Sequence, residues 1–166
     1  MPGKEEIDAA QDVYEVLKKT FLLLDDYDRR FFISYGLSPR QFWALQRLDE
    51  HQGCSMVELS RALLTDKSNV TAIVDRLERA SLARRTPAAN DRRIFLITLT
   101  PEGRRLRDLV SQEHAARMRE LIGVVNNGPL HTLLESLSTI SGYLESYLEQ
   151  DNNPPLAVGI SDGSWK

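Results

Sequence analysis

The side chains of this sequence best suited to chemistry are hydrogen-bond donors, not nucleophiles. Lys67, Ser68, Asn69 and Thr71 lie close together, and two arginine pairs, Arg84–Arg85 and Arg92–Arg93, follow soon after. Short hydroxyl and amide groups at the start of a helix can reach base edges or phosphates in a major groove. There Asn can pair with adenine, and the Thr methyl can touch the thymine methyl. The start of a helix itself attracts a phosphate. Lys67, Arg61, Arg76, Arg84 and Arg85 are candidate phosphate contacts, which supply affinity rather than sequence choice. Other roles compete with these. Ser68 and Asn69 could simply cap their helix, and Arg76 could pair with an acidic neighbour and brace the module.

No catalytic, metal or cofactor arrangement stands beside these groups. His51, His114 and His131 are far apart and lack metal-ligand spacing. His51 and Cys54 lie three apart in an expected loop, beside Gly53, with no third ligand in view. There is no glycine-rich phosphate loop and no nucleophile elbow, and the carboxylates are scattered along amphipathic faces. The single cysteine rules out an internal disulfide framework and fits a reducing cytoplasm. The polar first residues lack the apolar core of a signal peptide. No run approaches the ~18 apolar residues of a membrane helix. A cytoplasmic protein with no membrane partner, and not an enzyme, is expected.

Net charge, -3, would not suggest a nucleic-acid partner. Its distribution says more. Residues 53–100 carry eight basic and five acidic side chains, whereas the segments on either side are both acidic in balance. A basic middle in an acidic scaffold is what a DNA-reading module would show.

These groups need elements to hold them, and the periodicity supplies a candidate for each. Ile7, Ala10, Val13, Tyr14, Leu17, Phe21 and Leu24 recur at helical steps and predict a long first helix, with Phe31 and Phe32 following and a stop near Gly36. Ser38, Pro39 and Gln41 form a start signal for a second helix with Phe42, Leu45 and Leu48 on its apolar side. Ser55 and Glu58 predict a capping box on a short third helix, with Val57, Leu59 and Leu63 inward. Thr65 or Asp66 should cap a fourth, whose narrow stripe is Val70, Ile73, Val74 and Leu77. That stripe would aim Ser68, Ala72, Asp75 and Arg79 outward, with Thr71 and Arg76 flanking, which favours nucleic-acid contact over mere capping. Two short helices so joined have a helix-turn-helix layout. The period then changes. Leu82–Thr86 and Arg93–Leu99 read as two strands around a turn-rich loop, a basic-tipped hairpin. Thr100 and Pro101 open a fifth helix with Leu106, Leu109, Val110, Met118, Leu121 and Ile122 on one side. After a break at Asn126–Gly128, Pro129 opens a sixth, with a stripe from Leu130 through Leu148. From Gln150 the composition cannot build a core, so residues 150–166 are expected to be a disordered tail.

The stretch VELSRALLTDKSNVTAIVDRLERASLARRTPAANDRRIFLITLTPEG resembles the MarR family of bacterial and archaeal regulators. The resemblance rests on the DKSNVTAIVDRLE helix, on Asp91-Arg92-Arg93 between the strands, and on the exit LITLTPEG, in that order and spacing. It covers roughly residues 7–149 and implies a mainly α fold: a winged helix-turn-helix (38–100) with a small β-hairpin wing, an N-terminal dimerisation helix (1–37) and C-terminal dimerisation helices (101–149).

The family implies a homodimer on a pseudo-palindromic, double-stranded DNA operator, usually acting as a repressor. It also implies release by a small aromatic or anionic ligand. The wing motif's last arginine, Arg93, would enter the minor groove, where a guanidinium suits the negative potential of A·T-rich sequence. Asp91 would orient an arginine or hold the wing's shape, and Arg92 would face phosphate. Ala72 departs from the family, in which many members carry a larger polar or basic side chain there. Asp75 would repel phosphate unless paired, and Arg79 is four residues on. Tyr35, Arg40 and Trp43 lie in helices framing the family's ligand pocket, although Trp43 and Arg40 could equally be plain structure, and Phe21 and Phe42 read as core. Peroxide-sensing members use a cysteine in the first helix, which is lacking here. The alternatives are a regulator without a ligand and a protein-interaction adaptor on the same fold. An adaptor would have no reason to keep Arg92 and Arg93 beside an exposed polar helix.

Overall fold

In the computed structural model, residues 4–88, 94–125 and 127–150 are described. The chain divides into two compact units, Met1–Phe42 and Trp43–Lys166.

The first unit is dominated by α1 (Lys4–Ile33). No glycine or proline interrupts those 30 residues, and local ion pairs such as Lys18–Glu15 at 2.6 Å line its exposed side. α1 stops where the sequence predicts. Gly36 N–H donates to the Ile33 carbonyl and Leu37 N–H to that of Phe32, with Gly36 in the left-handed region at φ 70°. Phe31, Phe32, Leu37 and Phe42 are buried. Phe32 and Phe42 stack with centroids 4.4 Å apart. Phe21, read as core, is 57% exposed. Its spacing matches the apolar stripe, but that side of α1 is uncovered in a single chain.

α2 (Pro39–Arg47) begins at a complete capping box. Gln41 N–H donates to Ser38 Oγ, and Ser38 N–H donates to Gln41 Oε1.

In the second unit, β1 (Cys54–Ser55) leads into α3 (Met56–Ala62), α4 (Lys67–Arg79), β2 (Ala83–Pro87), β3 (Phe95–Leu99), α5 (Pro101–Ile122) and α6 (Asn127–Gln150). The sheet order is β1-β3-β2, antiparallel throughout, with Cys54 opposite Ile97, Ala83 opposite Leu99 and Pro87 opposite Phe95. Cys54 therefore lies in a strand, where a loop was expected. Leu45, Leu48, Leu59, Val70, Val74, Leu77, Ile97, Leu99 and Val110 are fully buried. Val57, expected inward, is exposed, because α3 has only two turns and Leu59 fills its inner side.

α3 and α4 end as α1 does. Leu64 N–H reaches Arg61 O and Thr65 N–H reaches Ser60 O; Ser81 N–H reaches Glu78 O and Leu82 N–H reaches Leu77 O. Leu64 (φ 48°) and Ser81 (φ 59°) take the left-handed position that glycine takes after α1. α5 is tied down at its start. Thr100 Oγ1 accepts from Gly103 N–H and donates to the Ser81 carbonyl. A Cβ on Gly103 would lie 1.9 Å from the Leu82 carbonyl oxygen, so only glycine lets α5 approach the backbone just before β2 this closely. Further along α5, Arg107 donates to the Leu48 carbonyl at 3.0 Å and Arg104 meets Glu50 at 3.0 Å. α6 starts two residues before the expected Pro129. Among the described residues, no helix is long and apolar enough to cross a membrane.

Candidate nucleic-acid interface

The interface is built on α4. Val70, Ile73, Val74 and Leu77 are buried on one side, which leaves Lys67, Ser68, Thr71, Ala72, Arg76 and Arg79 exposed on the other. Asp66, not Thr65, is the N-cap, and Thr65 is buried. Asp66 Oδ1 accepts from Asn69 N–H at 2.9 Å, and Asp66 Oδ2 accepts from Asn69 Nδ2 at 2.7 Å. Ser68 Oγ also donates to Asp66. The Ser68 hydroxyl and the Asn69 N–H hold the Asp66 carboxyl below its ordinary pKa. Both candidate base-reading residues at the helix start are therefore engaged with the cap. Thr71 Oγ1 donates to the Lys67 carbonyl at 2.8 Å.

The other end of α4 is joined to the hairpin. Arg85, on β2, reaches Asp75 at 2.7 Å and also pairs with Glu78, while its own N–H donates to Glu78 Oε1 at 2.8 Å. Its side chain is only 26% exposed. Three expectations change here. Asp75 is paired as it needed to be, but by Arg85, whereas Arg79 Nε donates to the Asp75 carbonyl instead. Arg76 forms no ion pair among the described residues, so the bracing role considered for it falls to Arg85. Arg85 in turn has its guanidinium held by the Asp75 and Glu78 carboxylates of α4. Arg84, opposite Thr98, donates to Thr98 Oγ1 at 3.2 Å and stays exposed, as does Arg61. Asp91, Arg92 and Arg93 lie outside the described residues. Sequence reasoning missed Glu78, although its place in DRLE, one turn after Asp75, was a usable signal.

Elsewhere, Ser55 and Glu58 form the capping box on α3, and the Ser55 N–H holds the Glu58 carboxyl below its ordinary pKa. Burial raises the pKa of the Cys54 thiol, the opposite of what a reactive thiolate needs. Among the described residues no cluster of His, Cys, Asp and Glu could hold a metal ion. Of the residues considered for a ligand, Tyr35 packs on Phe31 with centroids 5.2 Å apart, Arg40 is half-buried, and Trp43 is 42% exposed.

Comparison with known proteins agrees with this geometry. A family profile, that of the MarR family, matches residues 35–94. The HTH-type transcriptional regulator PecS of Dickeya dadantii is 34% identical over 113 residues, covering 66% of this chain and 68% of PecS. Among solved structures, the transcriptional repressor CouR bound to a 23-mer DNA duplex is 28% identical with a TM-score of 0.69, over 76% of this chain and 89% of CouR. The transcriptional regulator BldR of Sulfolobus solfataricus is 26% identical with a TM-score of 0.72, over 86% of this chain and 99% of BldR.

Proposed function

This chain belongs to the MarR family of winged helix-turn-helix regulators, and from that premise we propose that it represses transcription as a homodimer on a pseudo-palindromic operator. The observation that carries this reading is α4. Its four large apolar residues are all buried, and Lys67, Ser68, Thr71, Ala72, Arg76 and Arg79 are exposed on its outer side. Such a helix fits a major groove. In the sequence, Arg92 and Arg93 fall between β2 and β3, and a wing there would meet the backbone and the minor groove. Lys67, Arg76 and Arg84 serve the phosphates. A relative of this chain, CouR, is a repressor seen on duplex DNA, which supports both the partner and the sign of regulation.

The dimer reading rests on uncovered apolar surface. α1 exposes Val13, Tyr14, Val16, Phe21, Leu22 and Leu23, and α6 exposes Leu133, Leu134, Leu137, Ile140, Leu144, Tyr147 and Leu148. Patches of this kind mark association surfaces, and residues 1–37 and 101–149 are the proposed dimerisation segments. Two copies would carry their α4 helices about one DNA turn, ~34 Å, apart. A small aromatic or anionic effector, for which Tyr35, Arg40 and Trp43 are the candidate contacts, would release DNA by favouring a different spacing of the two copies. The protein would work in the cytoplasm.

The test is a titration of a labelled duplex from upstream of the chain's own gene, at two salt concentrations, with wild type and Arg93→Ala. Tight binding that weakens with salt, exceeds that of a scrambled duplex and falls in Arg93→Ala is the expected result. If no duplex, upstream or selected from genomic fragments, binds better than the scrambled one, the regulator reading fails.

A further inference from the structure

Along the outer side of α4, the polar groups are turned toward one another. Ser68 Oγ and Asn69 Nδ2 donate to Asp66. The Thr71 hydroxyl donates to the carbonyl of Lys67 at 2.8 Å. Asp75 is held by Arg85 at 2.7 Å, and Arg79 Nε donates to the Asp75 carbonyl. With its hydroxyl directed at the helix backbone, Thr71 presents its methyl. Ala72, next to it, has only a methyl to present. Both residues are exposed. The middle of the helix therefore offers a small apolar patch, with the Asp66 cap cluster before it and Arg76 one turn after it.

In the major groove only thymine displays a methyl group. We propose that Thr71 and Ala72 are the residues that select the operator, by packing their methyls on the C5-methyl groups of thymines. This rests on the reading that α4 enters the groove. The cap cluster then sets the depth and angle of the helix start, and the exposed arginines hold the backbone. Choice of sequence falls to apolar contact at the centre. Covering one methyl in such a contact is worth about fourfold in Kd.

Duplexes that bind the full wild-type chain are first selected from a random library. Each thymine of a half-site is then replaced, one at a time, by deoxyuridine, which removes the C5-methyl and leaves the hydrogen-bonding edge intact. The expected result is a rise in Kd of about fourfold at one or two positions per half-site. At those positions the penalty should vanish in Thr71→Ser, which keeps the hydroxyl, or in Ala72→Gly. Two results overturn the proposal and leave DNA binding standing: no deoxyuridine position changes Kd on a tightly bound duplex, or a penalty persists undiminished in both variants and so belongs to the shape of the DNA. Failure to select any duplex overturns this proposal and the regulator reading together.

Discussion

α4 and α6 belong to the same unit and are opposites in how they use apolar residues. α4 buries all four of its large ones, has an acidic N-cap, and is joined to the hairpin by Arg85. α6 is longer and richer in apolar residues, yet apart from Leu130 every described side chain on it is exposed. Three of its hydroxyls, at Ser136, Thr139 and Ser146, donate back to its own backbone. The same amphipathic pattern thus has two meanings. In α4 it is satisfied within one chain and fixes the placement of a functional side. In α6 it is left uncovered within one chain, and in the proposed dimer a second copy would cover it.

The strongest way to break this contrast is to remove the same atoms from each helix. Leu77→Ala should lower unfolding free energy by about 2–5 kcal/mol, because it leaves a cavity in a closed core. Leu137→Ala should instead shift the monomer–dimer balance in sedimentation and barely change the unfolding of dilute monomer. Equal losses in urea unfolding would erase the distinction.

Glycines sharpen it. Gly103→Ala places a Cβ against the Leu82 carbonyl and should cost about 1–3 kcal/mol in the same measurement. Gly142→Ala, on α6, meets nothing within 4 Å and should stabilise monomer by up to about 1 kcal/mol through helix propensity. A weakened dimer in Gly142→Ala would place that glycine in the contact between copies.

A smaller gain, about 1 kcal/mol in thermal unfolding, is expected of Leu64→Gly, since leucine holds a left-handed conformation there while its side chain stays exposed. No gain would mean that the solvent-facing leucine stabilises the turn in some other way.

The smallest effect concerns pH. Asp66 and Glu58 both have carboxyls below their ordinary pKa in the folded chain. Their contribution is therefore fully present above the ordinary carboxylate range and is lost as pH falls through the lowered, folded-state values. The thermal midpoint should fall on acidification, and the fall should be shallower in Asp66→Asn. An unchanged slope would remove Asp66 from the account.

Much of this architecture was legible because its signals are local. Ser38–Gln41, Ser55–Glu58 and the Thr100-Pro101 start each depend on residues within one turn, and all three form as read. The α4 stripe was legible for the same reason. What was not legible depends on register or on a partner. β1 is two residues long and has no period to read. The Arg85–Glu78 pair forms across the turn between α4 and β2, so the nearer Arg79 looked the better partner for Asp75. The exposure of Phe21 and Val57 depends on what covers a surface, which periodicity does not report. The candidate interface was legible as a set of outward positions on α4. Its inner hydrogen bonding was not, because Ser68 and Asn69 can turn either outward or to the Asp66 cap, and spacing does not choose between the two.

The Arg85 bridge has a consequence for transplantation. A DNA-contacting helix is commonly treated as a cassette that can be exchanged between relatives. Here a graft of residues 67–79 would import new groups opposite a guanidinium that remains in the host strand. A donor helix lacking acidic groups at 75 and 78 would leave that cation half-buried and uncompensated. The exchangeable unit in this chain is therefore the helix together with the strand that follows it, and chimeras should be cut after Pro87, not after Arg79.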